Sequence, residues 1–261
     1  MKAIRLVYLS ILITGILGGC NKERTPPSVP PEGSMVMSID GFWNGGQKSI
    51  ALPHGNFLHA ATQISFWNLV LTVQMAIPVA AFRESFNHQP VWDRTEKSWI
   101  WSYSVPAANG SYVAELHGWI NGDAVNWEMY LSKTGGFTNF LWFSGHSQQD
   151  NSSGTWYLNH SPDDPEAFLQ IDWIKDANGI SGIRYLNVVP GAEANGSYIE
   201  FGHPATGDYD AFYNLRNEAE DRTIFIRWKS ETHEGAVMDP KFFNDPGWHC
   251  WDIDFMNTNC S

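Results

Sequence analysis

The residues able to do chemistry are few and scattered along the chain. Asp252 and Asp254 stand two apart near the C-terminus. On one strand face their carboxyls would lie about 6–7 Å apart, a separation at which paired acids act in glycoside hydrolysis. Solvated acids on a sheet face share that spacing, and no further catalytic group accompanies them. The nine His residues show no metal-ligand spacing: His54 and His59 are divided by loop-like sequence, and no His-Glu-x-x-His occurs. There is no Gly-x-Ser-x-Gly elbow and no Gly-rich phosphate loop before a helix. The acidic stretch Ser161-Pro162-Asp163-Asp164-Pro165-Glu166 has calcium-binding residue types, but its two prolines suit a plain turn. No catalytic residue, metal or cofactor is therefore assigned. Aromatic residues are the remaining chemical resource. Trp99, Trp101 and Tyr103 share one strand face, where a stripe stacks on sugar rings, lines a lipid cavity or fills a core. Trp127, Trp142 and Trp173 read as core from their apolar neighbours.

The N-terminus carries an address. Lys2 and Arg5 precede the apolar run Leu6 to Thr14, which is too short to span a bilayer as a permanent helix. The run leads into Leu17-Gly18-Gly19-Cys20: an aliphatic residue, two small ones, then Cys. This resembles the lipobox of bacterial lipoprotein precursors, a resemblance that covers the first 20 residues. It implies a signal peptide over residues 1–19, diacylglycerol transfer to the Cys20 sulfur, cleavage before Cys20, and acylation of the new amino terminus. Several acyl chains, palmitate among them, hold a protein stably, each buried methylene adding roughly 0.8 kcal/mol. Asn21 rather than Asp after the Cys implies, by the same resemblance, passage to the outer membrane of the cell envelope. With Cys20 lipidated, Cys250 and Cys260 are the remaining thiols. Export to an oxidising compartment predicts a disulfide between them.

Residues 20–34 hold four prolines in a polar stretch and read as a lipidated Cys on an extended tether. The folded part is then a single β-rich domain over 35–261. Residues 55–82 contain no Asp, Glu, Lys or Arg. Alternation from Trp67 to Ile77 is a strand signal. The Ala-rich flanks and the length of the run favour a buried helix that Pro78 bends or ends.

From Trp92 onward, period-two patterns such as Val125, Trp127, Met129 and Leu131 mark half-buried antiparallel strands. Asn109-Gly110, Asn121-Gly122, Gly135-Gly136, Asn178-Gly179 and Asn195-Gly196 separate them. Asn-Gly fits both centres of a type I′ hairpin turn. A shift of about 85 residues aligns 98–175 with 180–255, through duplication or through repeated use of the same turn chemistry. About ten antiparallel strands cannot stay flat, so the predicted fold is mainly β: a curled antiparallel meander, half-barrel or barrel, with the apolar helix on its concave side. Lipidated terminus, helix and curled meander together resemble the half-barrel of bacterial lipoprotein carriers and related lipid-binding lipoproteins, in architecture alone.

Composition narrows the partners. With 43% hydrophobic and 17% charged residues the chain is not disordered. Sixteen Lys and Arg against 28 Asp and Glu give a net charge of −12, which disfavours nucleic acid. The expected protein is non-catalytic, bound to the membrane through its anchor, and holds a hydrophobic or lipid ligand. A glycan-binding surface lipoprotein using exposed aromatics, or a structural envelope protein, are the alternatives. An apolar cavity between helix and sheet speaks for lipid; an aromatic row on the outer face speaks for sugar. Cys20→Ser is expected to release the protein from membranes and abolish incorporation of labelled palmitate; a membrane-bound mutant and an unlabelled wild type would remove the anchor.

Overall fold

The charge-free run is a helix. In the computed structural model, which describes residues 25–36, 42, 55–107, 110–203 and 208–260, α1 spans Asn56–Glu84. A strand of that length would far exceed the usual 3–10 residues, so the alternation after Trp67 is incidental. Pro78 is buried inside α1 and does not end it; it removes one backbone donor from the ladder. The lipobox and Cys20 lie outside the described residues.

Strands β1 (Val91–Asp93), β2 (Ser98–Ala107), β3 (Gly110–Asn121), β4 (Ala124–Lys133) and β5 (Phe140–Gln148) follow. Next come β6 (Ser153–Ser161), β7 (Asp164–Asp176), β8 (Gly179–Asn187), β9 (Tyr198–Gly202) and β10 (Ala211–Asn217). The last are β11 (Arg222–Trp228), β12 (Gly235–Met238), the short helix α2 (Pro240–Phe243), β13 (His249–Trp251) and β14 (Asn257–Thr258). Each strand pairs antiparallel with the next, so chain order is sheet order. The curled sheet is not closed into a barrel. Fourteen strands appear rather than about ten, because β1, β12, β13 and β14 are two to four residues long. Strands that short show no alternation to read. The stretches 98–175 and 180–255 each supply six consecutive strands to this one sheet.

The Asn-Gly pairs sit differently from the type I′ expectation. Asn121 pairs with Ala124, so Gly122 and Asp123 form that turn, with Gly122 at φ +62°. Asp176 pairs with Gly179, so Ala177 and Asn178 form the next, and Gly179 opens β8 at φ +126°. Asn195-Gly196 belongs to the longer β8–β9 connection. Glycine is required in each case by positive φ, but the register is set by the strands and not by the dipeptide.

Tryptophan and glycine alternate across the concave face. In direct register, Trp99 faces Gly118, Gly118 faces Trp127, Trp127 faces Gly145, and Gly145 faces Trp156. Gly154 likewise faces Trp173, and Gly235 lies between Trp228 and Trp251. Each of these glycines lies under an indole. A Cβ on Gly118 would stand 2.6 Å from Trp127 Cζ3, one on Gly145 2.6 Å from Trp156 Cε3, and one on Gly154 2.6 Å from Trp173 Cζ2. Trp127, Trp156, Trp173, Trp228 and Trp251 are thereby fully buried. Large and small alternate, so indoles that would collide side by side each fit, and the sheet bends where no side chain props it open.

Helix α1 is held at both ends of this curve. At its N-terminus, Asn56 N donates to Asn257 Oδ1 at 2.9 Å and Asn56 Nδ2 to the Cys250 carbonyl at 2.8 Å. Gly55, at φ +96°, leaves room for the Asn257 amide. The N-cap is thus supplied by β14 rather than by the residue before the helix. The Cys250–Cys260 disulfide, with Cα atoms 5.3 Å apart, fastens the chain just beyond β14 back to β13. Phe57 packs edge-on to Trp251, with ring centroids 5.6 Å apart. At the other end Phe82 meets Trp156 at 5.5 Å, and Tyr103 donates its hydroxyl to the Ala81 carbonyl at 2.7 Å.

The Pro-rich stretch enters the fold before Met35. Ser34 and Met35 are fully buried, Trp156 Nε1 donates to Ser34 Oγ at 3.1 Å, and Tyr185 donates to the Met35 carbonyl at 3.0 Å. Asn151 Nδ2 reaches the Ser28 and Val29 carbonyls. The tether expected over 20–34 therefore has its described residues 25–34 packed on the sheet in part, because extended prolines leave backbone carbonyls free for buried donors.

Two substitutions test this account by chemical denaturation. Gly154→Ala is expected to cost about 1–3 kcal/mol as overpacking against Trp173, and Asn257→Ala about 1 kcal/mol as a lost cap; wild-type midpoints in both would break it.

Candidate functional site

The sequence candidates for chemistry disperse. Asp252 and Asp254 do not share a strand face: β13 ends at Trp251, and both lie in the turn before β14. Asp252 Oδ1 accepts from the backbone N–H groups of Asp254 and Met256, each at 3.0 Å. This is Asx-turn chemistry, which the two-residue spacing fits as well as it fits a strand. Ser161 and Asp164 close the β6–β7 hairpin, so the acidic stretch is a turn. Among the described residues no group of three or more His, Cys, Asp or Glu is placed to hold a metal. Cys250 and Cys260 are joined as expected.

The aromatic stripe faces inward. Trp101 and Tyr103 are buried on the concave side, and Trp99 is half-buried against Trp92 at 5.5 Å. Trp127, Trp142 and Trp173 are core. These rings support the helix and do not form an exposed sugar platform.

One buried ionic group has the residue types of catalysis. Asp239 is fully buried, accepts from His59 Nε2 at 2.8 Å, and receives Arg222 Nε on both carboxyl oxygens at 3.1 Å. Burial opposes the anion, but hydrogen bonds from Arg222 and His59 outweigh it and hold Asp239 below its ordinary range. An ionised carboxylate only accepts, so His59 Nε2 carries the proton. Burial pushes His59 below its ordinary value, against the pull of Asp239, and keeps the ring neutral. Phe242 stacks on the imidazole at 3.7 Å. The group ties α1 to β11 and α2.

A cavity lies at mid-helix. Because α1 is held at its ends, its middle stands away from β8 and β9. A cavity of about 440 Å³ remains there, bounded by Met75, Leu71 and Val79 on the helix and by Tyr185, Ile199 and Met35 opposite. Asn68 and Thr72 are polar points along the helix wall, and Arg83, Glu84 and Asn87 stand at one end. Arg83 is paired with Glu32 at 2.6 Å. A second hollow of about 370 Å³ flanks the helix between Phe66, Val70, Leu215 and Ile224. Both fall in the size range of small-molecule sites; the first is mostly apolar, whereas the second is also lined by Arg216, Arg222 and Glu220. Between them α1 turns apolar residues to solvent: Phe66, Leu69 and Val73 are each more than 60% exposed. By length and composition α1 could cross a membrane, though its ends are built into the sheet. Sequence reasoning did not name the cavity residues. Gln63, Asn68, Thr72 and Gln74 interrupt the apolar run alike, and only the fold turns Asn68 and Thr72 to the cavity.

No family model, no curated protein and no solved structure matches this chain.

The His59–Asp239 pair makes stability pH-dependent. His59 binds its proton less readily folded than unfolded, so stability held above about pH 6.5 is lost as pH falls through the folded value. Asp239, also depressed, adds a second loss below about pH 3.8. Denaturation midpoints followed from pH 7.5 to 5 are expected to fall in wild type and to flatten in His59→Gln; equal slopes would contradict the assignment.

Proposed function

We propose that this is a lipid-anchored protein of the bacterial cell envelope that binds a hydrophobic or lipid ligand between α1 and the curled sheet. The observation that carries the reading is the cavity of about 440 Å³ beside Met75, Tyr185 and Ile199. Its walls are apolar where an acyl chain would lie, and its polar groups stand at one end and along one side, as an amphiphile requires. The apolar outer face of α1 supports the same reading, since a ligand entering past the helix would leave water in stages. The lipobox at Leu17 to Cys20 and the likeness to half-barrel lipid-binding lipoproteins agree with it. Binding is the role that such predominantly apolar walls serve.

Native mass spectrometry of the full-length protein, taken from membranes in mild detergent, tests the proposal. Lipid masses that leave on denaturation are expected in wild type and are to be distinguished from acyl groups that stay covalently attached. Ala76→Trp places an indole in the cavity from an exposed helix position and is expected to reduce the non-covalent occupancy severalfold. Wild type free of such ligands, or unchanged occupancy in Ala76→Trp, would defeat the reading.

A further inference from the structure

The convex face of the sheet carries a second site, independent of the cavity. Across five adjacent strands the directly opposed residues are Thr155, Asp172, Arg184, Glu200 and Asn214. Neighbouring strands are spaced by roughly 4.8 Å, so this is a row of polar groups at regular intervals. Beside it lies a groove of about 470 Å³, in which Ile174 covers Gly182 and the Phe212 ring covers Gly202.

Arg184 is the unexplained member. It stands between two carboxylates, yet neither is paired with it. Asp172 is engaged by Thr155 Oγ1 at 2.8 Å and by Gln170 Nε2 at 2.8 and 3.0 Å. Glu200 receives Asn214 Nδ2 at 3.2 Å. The Arg184 guanidinium lies over the Tyr198 ring instead, 4.1 Å from its centroid. Its Nε is buried with no hydrogen-bond partner among the described residues. A ligand cannot reach that buried Nε, but the Nη groups are not buried and make no hydrogen bond or ion pair among the described residues, so they are donors in want of an acceptor.

The chemistry of that acceptor follows from the row. Asp172 and Glu200 only accept hydrogen bonds, and Arg184 only donates. A ligand facing all three must offer donor, acceptor and donor in turn. An anion would satisfy Arg184 but meet a carboxylate on each side, on a protein of net charge −12. A cation would meet Arg184 between the acids. Hydroxyl groups donate and accept equally, and vicinal pairs suit the forks of carboxylate and guanidinium. Phe212 and Ile174, lying over Gly202 and Gly182, give the groove an apolar floor for the C–H face of a sugar ring. We propose that this groove binds a neutral saccharide.

The test is retention of full-length protein on an array of neutral, carboxylated and sulfated oligosaccharides. The variants are Arg184→Met, which keeps the stack on Tyr198 without its donors, and Glu200→Gln. Wild type is expected to bind neutral oligosaccharides, and each variant to bind them about tenfold less, at an unchanged melting temperature. A third variant, Ala76→Trp, is expected to bind them like wild type. No neutral oligosaccharide bound, preference for the anionic ones, or indifference to Arg184→Met would each overturn the proposal. Should Arg184→Met unfold, Glu200→Gln decides alone, since it keeps the size and one acceptor oxygen for Asn214 while turning the other acceptor into a donor.

Discussion

An indole laid flat across a neighbouring strand needs a glycine beneath it. That requirement, repeated from Trp99 to Trp156 and again around Gly235, governs the rest of the molecule. Any side chain at Gly118, Gly145, Gly154 or Gly235 would drive a Cβ into an aromatic ring. With the glycines in place, five tryptophans are fully buried on one face, and each contributes a large apolar area to the concave core. Glycine costs strand stability on its own account; here the ring that covers it offsets that cost.

Curvature without closure leaves a mechanical problem. The first and last strands do not pair, so no backbone ladder holds the ends of the arc in place. Helix α1 takes that part. It is capped by Asn257 and tied through His59, Asp239 and Arg222 at one end, and packed on Trp156 and Tyr103 at the other. A straight element fastened across a curve touches it at the ends and stands clear in the middle. The cavity beside Met75 is therefore a geometric consequence of how the open sheet is held, as is the exposure of Phe66, Leu69 and Val73.

The two faces of the sheet are consequently different in kind. The concave face is aromatic and apolar; Trp156 donates to Ser34, Tyr185 to Met35 and Tyr103 to Ala81, while Trp173 Nε1 has no partner among the described residues. The convex face carries carboxylates, amides and hydroxyls in register, with Arg184, Arg216, Arg227 and Phe212 among them. Period-two alternation makes this division inevitable once register is set, because a shift of one residue would exchange the faces entirely.

What the sequence by itself determined was whatever depends on local pattern. Alternation from Val125 to Leu131 specified half-buried strands, a charge-free run of helical length specified α1, and two thiols left after Cys20 specified the Cys250–Cys260 bond. Local pattern misled where one spacing serves two geometries: Asp252 and Asp254 fit a strand face and an Asx turn alike, and Asn-Gly fits several turn positions. Four strands of two to four residues were too short to carry any period. The cavity, the His59–Asp239–Arg222 tie and the row through Arg184 were decided only by tertiary structure. Their members come from strands and helices tens to hundreds of residues apart, and no residue's neighbours announce them. Asn68 in an apolar helix and Gly154 in a strand were visible as anomalies, but what each faces depends on the register of an entire sheet, and register is a property of the folded chain.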